Sequence, residues 1–149
     1  MLKVVIIGNG MVSHHYIEQL VASEVKAHIT VIGGESRPAY DRVHLSEYFA
    51  GRTPEELALT TKEHYSKLGV EAHFGDMVTR IDRDQKTIIT QSGNTYAYDK
   101  LVIATGSYPF VPPVEGNDLA PCTVYRTIDA LGLIQAQAND ATVGAAAGG

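Results

Sequence analysis

Val4-Val5-Ile6-Ile7-Gly8-Asn9-Gly10-Met11-Val12-Ser13 carries the reading that decides the fold. The β-branched run of residues 4–7 has the pattern of a strand buried on both faces of a parallel sheet. Two glycines one residue apart then permit a tight turn, and residues 11–21 open a helix. The first N–H groups of a helix have no partner inside it and sit at the positive end of its dipole. A pyrophosphate can therefore be held there without a basic side chain. In this reading Gly8 makes the turn and Gly10 lets the backbone approach phosphate, with Asn9, Met11 and Val12 completing the lining. The third position of the G-x-G-x-x-G pattern is Ser13, small enough to let helix and strand pack closely. The same glycines would also serve a purely structural strand-turn-helix corner, so the flanking sequence has to decide.

The helix carries apolar residues at Val12, Tyr16, Leu20 and Val21, which predicts that this face is buried and that Glu18 and Gln19 lie outside. Residues 28–32, ending in Gly33-Gly34-Glu35, read as the second strand of a βαβ unit. Glu35 lies 25 residues past Gly10, near the ~20 at which a carboxylate accepts hydrogen bonds from a nucleotide ribose. The alternative for Glu35 is a solvated turn residue. Thr53-Pro54-Glu55-Glu56 is a capping box with proline at the first helical position, and residues 61–68 form a further short helix stopped by Gly69. Residues 70–74, 78–81, 87–90 and 95–98, separated by turn residues, read as a small antiparallel meander. It leads into residues 100–104, an apolar run expected to be buried on both faces of the parallel sheet, which ends in Thr105-Gly106. The fold class expected is α/β: a Rossmann-like dinucleotide-binding domain with a parallel sheet plus a small antiparallel β-meander.

The chain has 149 residues, enough for one ordinary domain and too few for an enzyme with two nucleotide-binding domains. Hydrophobic residues make up 44% and charged residues 19%, an ordinary globular mixture. One cysteine, Cys122, permits no internal disulfide and no cysteine-ligated zinc or iron–sulfur site built from this chain alone. Cys122 is expected to pack as a small apolar residue. A formal charge of −5, with basic residues scattered along the chain, disfavours nucleic acid as a partner. No apolar run is long enough to span a membrane. The start Met1-Leu2-Lys3 runs straight into the first strand, which leaves no room for a secretory leader and points to the cytoplasm. His14 and His15 face different sides of their helix, and no histidine pair has the spacing of a metal site, so no metal ligand is assigned. His44 is expected as a packed loop residue, and Ser46 lacks the surroundings that mark a nucleophile. No catalytic residue is assigned.

Tyr98-Asp99-Lys100-Leu101-Val102-Ile103-Ala104-Thr105-Gly106 resembles the flavoprotein reductases built from two dinucleotide-binding domains. In that family an apolar strand ending in Ala-Thr-Gly follows the meander and passes close to FAD, which implies that Ala104, Thr105 and Gly106 shape the cofactor pocket. Tyr40-Asp41-Arg42-Val43-His44-Leu45-Ser46 resembles the family's Tyr-Asp-Arg-x-x-Leu-Ser element, which lines the FAD pyrophosphate and flavin. The resemblance thus implies roles for Arg42 and Ser46. A guanidinium suits the task because its planar fork donates paired hydrogen bonds to phosphate oxygens. By the same resemblance Arg126, in Val124-Tyr125-Arg126-Thr127, is the family's Arg-Thr element near FAD, and Val78 is the position whose backbone meets the adenine. Together with residues 7–12, these segments are similar to the branch of large subunits of NAD(P)H-dependent assimilatory nitrite reductases, over about residues 2–135. Many relatives there carry lysine after Leu-Ser where this chain has Glu47, so Glu47 is given no flavin role.

The resemblance implies that residues 1–137 are the N-terminal FAD-binding portion of an NAD(P)H-dependent oxidoreductase of nitrate assimilation. Its flavin would pass electrons from NAD(P)H toward sirohaem and nitrite. Of the cofactors only FAD is expected on this chain. NAD(P)H, sirohaem and an iron–sulfur cluster belong to a longer enzyme, with nitrite and a small subunit among its partners. Residues 138–149, rich in alanine and glycine, fall where the family's second glycine motif would begin, and read as the truncated start of an NAD(P)H-binding domain. The chain is accordingly expected to be a fragment, inactive by itself. Two alternatives stay open: the FAD half of a ferredoxin- or rubredoxin-type reductase, and a non-catalytic nucleotide-binding module.

Overall fold

The computed structural model describes residues 1–120, 122–140 and 143–147. In chain order its elements are β1 (Leu2–Ile7), α1 (Met11–Ala22), β2 (Ala27–Gly33), a 3-10 helix (Leu45–Ala50), α2 (Pro54–Leu57), α3 (Lys62–Lys67), β3 (Val70–Phe74), β4 (Val78–Asp82), β5 (Thr87–Thr90), β6 (Thr95–Ala97), β7 (Lys100–Ile103) and α4 (Ile128–Ala138). They form two units. The first comprises Met1–Asp41 and Ala58–Gly106, the second Arg42–Leu57 and the described residues from Ser107 onward.

In the first unit four parallel strands lie in the order β3-β2-β1-β7. Register follows the shared apolar runs, with Ile7 opposite both Ile32 of β2 and Ile103 of β7. Strand alternation then divides β1 between two cores. Val4 and Ile6 pack with Ile17, Ile29, Val31, Tyr65 and Val70, joined by Leu20 and Val21 of α1. Val5 and Ile7 pack with Ile32 and Ile88 against Val78, Tyr96, Tyr98 and Leu101, beneath the three-stranded antiparallel sheet β4-β5-β6. β1 is therefore buried on both faces, as its unbroken β-branched run requires.

Five readings from sequence are corrected here. Residues 70–74 do not belong to the meander; β3 pairs in parallel with β2, from Ile29–Val70 to Gly33–Phe74, so the meander has only three strands. α1 buries Ser13, His14 and Ile17, while Val12 is 74% exposed and Tyr16 lies open. The spacing is as expected but rotated by one residue, because the smallest side chain of the corner, Ser13, faces the strand it must approach. β7 is an edge strand, only partly covered, with Ile103 62% exposed; an apolar run does not by itself choose between a central and an edge position. Cys122 is exposed, its thiol donating to the Gly116 carbonyl at 3.2 Å. His44 is exposed rather than packed, at the entrance to the 3-10 helix.

Local signals that depend on a few neighbouring residues match the structure. The Thr53 amide donates to Glu56 Oε2 at 2.7 Å and the Glu56 amide to Thr53 Oγ1 at 3.2 Å, which is the reciprocal capping box. Thr61 caps α3 by accepting from the His64 amide at 3.1 Å.

The second unit joins distant segments. α4 packs against the 3-10 helix, with Thr127 capping α4 through the Ala130 amide at 3.1 Å. Phe49 stacks on Tyr125, ring centroids 6.3 Å apart. Residues 141, 142, 148 and 149 of the alanine/glycine tail lie outside the described residues.

Candidate nucleotide site

The carboxyl ends of β1, β2 and β7 meet at one edge of the parallel sheet. The Gly8 amide donates to the Ile32 carbonyl at 2.8 Å, and the Ala104 amide to the Ile7 carbonyl at 2.8 Å. Gly8 has φ +101°, and a β-carbon there would stand 2.2 Å from the Ala104 carbonyl oxygen. Only glycine lets these two strand ends close. Gly10 is the N-cap of α1, with φ −104° and ψ −169°, and no atom lies within 4 Å of where its β-carbon would be. No side chain caps the helix and its first turn holds no acidic residue. The amides of Met11 and Val12 thus begin a helix whose positive end carries no carboxylate and opens on clear space beside Gly10, the setting that suits an anion.

Glu35 sits two residues past β2 and is half-buried, and the Tyr40 hydroxyl donates to its Oε2 at 2.7 Å. The turn around it is fixed by backbone bonds from Gly75 to the Glu35 carbonyl at 2.9 Å and from Asp76 to the Gly33 carbonyl at 3.1 Å. Val78 opens β4 immediately after this turn and is half-buried. Ala104 is half-buried, Thr105 and Gly106 are exposed, and Gly106 has φ +73°. Gly8, Asn9, Gly10, Met11, Val12, Glu35, Val78, Ala104, Thr105 and Gly106 all belong to the first unit.

Arg42, Ser46 and Arg126 belong to the second unit. Arg42 Nη1 donates to the Arg126 carbonyl at 2.9 Å, and Arg126 Nη2 donates to Ser107 Oγ at 3.0 Å. Two arginines singled out separately in the sequence are thus neighbours in space. Ser46 lies exposed on the 3-10 helix. Glu47, on the same helix, is held by Arg52.

The sequence reading missed the groups behind the glycine turn. Tyr65, wholly buried on α3, donates its hydroxyl to Asn9 Oδ1 at 3.1 Å, and His14 Nδ1 stands 3.5 Å from the same hydroxyl. Burial pushes the Tyr65 hydroxyl up to about 12 and holds the His14 imidazole below its ordinary value, the nearby Glu18 opposing the latter. Tyr65 is therefore a permanent donor at neutral pH. No spacing rule links positions 9 and 65, so local pattern could not have found the pair.

The sequence profile of the pyridine nucleotide-disulphide oxidoreductases matches residues 2–149. The chain belongs to this family. Within the pyridine nucleotide-disulphide oxidoreductases, the NADH nitrite reductase large subunit of Escherichia coli (strain K12) is 46% identical over 99% of this chain. The NAD(P)H nitrite reductase large subunit of Klebsiella oxytoca is 46% identical over 97%. The chain spans 18% and 15% of the length of these two relatives. Among solved structures, a chain of the covalent putidaredoxin reductase–putidaredoxin complex superposes with a TM-score of 0.80 at 30% identity, over 91% of this chain and 34% of that one. The α/β architecture with its parallel and antiparallel sheets is the one this family shares. Among the described residues no helix is long and apolar enough to cross a membrane.

Proposed function

We propose that this chain is the FAD-holding N-terminal part, residues 1–137, of an NAD(P)H-dependent nitrite reductase large subunit. The observation that carries the reading is 46% identity to two such subunits over nearly the whole chain. The 30% identity to a chain of the putidaredoxin reductase–putidaredoxin complex supports the shared nucleotide-binding half and gives the small-acceptor alternative less weight.

The residues fit a dinucleotide. Gly8, Asn9 and Gly10 would hold the pyrophosphate, with the uncapped amides of Met11 and Val12 as its hydrogen-bond donors. Glu35, oriented by Tyr40, accepts from a ribose hydroxyl. By the family resemblance the Val78 backbone would meet the adenine. Ala104, Thr105 and Gly106 would supply a strand end that the cofactor can pass closely, and for Arg42, Ser46 and Arg126 of the second unit the role of donors to phosphates and flavin rests on the family resemblance of their segments. When bound, FAD supplies the step from two-electron donor to one-electron acceptor. The chain's own part is to bind and orient it, and no side chain here is assigned acid–base work. In the longer enzyme NAD(P)H would be the electron donor and nitrite the acceptor, sirohaem and an iron–sulfur cluster being held outside this chain, in the cytoplasm and with a small subunit as partner.

The test is titration of the purified chain with FAD, followed by quenching of flavin fluorescence. Saturation at one FAD per chain supports the reading. Absence of quenching in a chain that circular dichroism finds folded rejects it. Replacing FAD by FMN separates the dinucleotide site from a general flavin-binding surface, since only FAD carries the pyrophosphate and ribose that Gly10 and Glu35 address.

A further inference from the structure

Asn9 occupies a position of the glycine turn that the dinucleotide pattern leaves free to vary, yet here its side chain is gripped. Its Oδ1 accepts from the Tyr65 hydroxyl at 3.1 Å, its Nδ2 donates to the Arg37 carbonyl at 3.4 Å, and its Cβ lies 2.8 Å from where a β-carbon on Gly33 would stand. The carbonyl of Arg37 can only accept, so it pairs with the NH2 end of the Asn9 amide and turns Oδ1 toward Tyr65. Tyr65 is 0% exposed and His14 8% exposed, so this polar pair sits inside the apolar core formed by Ile17, Val31 and Val70. Buried polar groups with directed partners fix one arrangement strongly, because any other leaves a group unsatisfied.

From this geometry we infer that Tyr65 is a positioning residue for the pyrophosphate turn, acting through Asn9, with His14 packed behind the hydroxyl. The inference rests on the reading of Gly8, Asn9 and Gly10 as a pyrophosphate site and adds the device that holds that site in shape. Three elements converge on one side chain: Asn9 links the turn to the loop after β2 through Arg37 and to α3 through Tyr65. The N–H groups of Met11 and Val12 are thereby aimed before a ligand arrives, and the ligand does not have to order them. The high proton affinity of the Tyr65 hydroxyl keeps it a donor throughout the physiological range. Removing that donor leaves Asn9 Oδ1 without a buried partner and lets the turn sample other shapes.

The experiment compares wild type, Tyr65→Phe, Asn9→Ala and the double variant in the full chain, using FAD, ADP and adenosine as probes. Tyr65→Phe keeps the ring in the core and removes one hydroxyl. It is expected to raise Kd for FAD and ADP about five- to tenfold, with adenosine, which has no phosphate, unchanged. The double variant is expected to bind no worse than Asn9→Ala alone, since both changes break one linkage. Equal Kd in wild type and Tyr65→Phe, equal losses for ADP and adenosine, or additive losses in the double variant each overturn the inference. A readout free of ligand is amide exchange at Gly8 and His14, whose N–H groups bond to the Ile32 and Gly10 carbonyls. Tyr65→Phe should speed exchange at both several-fold while leaving Val5 and Ile6 unchanged. Unchanged exchange at Gly8 and His14 refutes the positioning role whatever the nucleotide data. A wild-type chain that binds neither FAD nor ADP refutes the nucleotide reading instead.

Discussion

A β-carbon on Gly8 would lie 2.2 Å from the carbonyl oxygen of Ala104. The first glycine of the turn is thus required by the neighbouring strand end as much as by its own φ of +101°. Gly8→Ala should cost about 3 kcal/mol of stability, from the strained backbone together with the clash, read as a lowered urea midpoint. Gly10→Ala, with open space around it and a negative φ, should cost less than about 1 kcal/mol. It should nonetheless weaken FAD, because the new methyl would occupy the approach proposed for phosphate. Tight FAD binding by folded Gly10→Ala would contradict that approach.

Arg42 ties its segment to the Arg126 carbonyl at 2.9 Å. Arg42→Lys preserves charge and loses the fixed fork, so it should destabilise the second unit by about 1 kcal/mol. If Arg42 holds phosphate as proposed, FAD affinity should fall with it, roughly tenfold, because lysine cannot supply the paired donors of the guanidinium. Denaturation followed at Tyr125, together with flavin titration, checks both.

The buried His14 imidazole resists protonation, having been pushed below its ordinary 6.5 chiefly by desolvation. The unfolded chain takes up that proton more readily, so stability is complete above about pH 6.5 and is lost as the pH falls through the lowered native value. His14→Gln should flatten this part of the profile. Urea unfolding of both chains at about pH 7.5 and about pH 5.5 measures the difference. An identical acid slope in the two chains would refute the assignment.

Asp76 accepts from the Ser92 amide at 3.0 Å and from the Ser92 hydroxyl, and these bonds, led by the side-chain one, pull its carboxyl down to about 2. Its contribution is present above the ordinary 3.8 and is lost as the pH falls through about 2. A carboxyl titration by NMR should place its midpoint there, and Ser92→Ala should move the midpoint upward.

What could be read from sequence was what a few adjacent residues determine. Residues 4–13 announce a buried strand, a turn and a helix because each residue type there meets a local demand, and the capping box at Thr53 and Glu56 works the same way. The face of α1 was misjudged because apolarity pointed to Val12 and Tyr16, while close approach to the strand selected Ser13 and Ile17. The place of β3 beside β2 depends on parallel pairing across 41 positions, between Ile29 and Val70, which no local pattern encodes. At the candidate site, spacing singled out Gly8, Gly10 and Glu35, and the structure puts all three at the carboxyl ends of β1 and β2. Arg42 and Arg126 were singled out one at a time through a family resemblance, and their hydrogen-bonded proximity was visible only in the fold. Tyr65 left no trace at all, since a tyrosine on a short helix looks like any other core residue.

The bond between Arg42 and the Arg126 carbonyl spans 84 positions, whereas the first unit is complete in sequence at Gly106. A ribosome adding about 5–20 residues per second needs roughly 4–17 s to deliver the second partner after the first. For that interval the nascent chain carries Phe49 with no Tyr125 yet made to stack on it. Translation speed is therefore a variable of this fold, and the hazard falls within that waiting period, when a neighbouring nascent chain competes for the same aromatic surface.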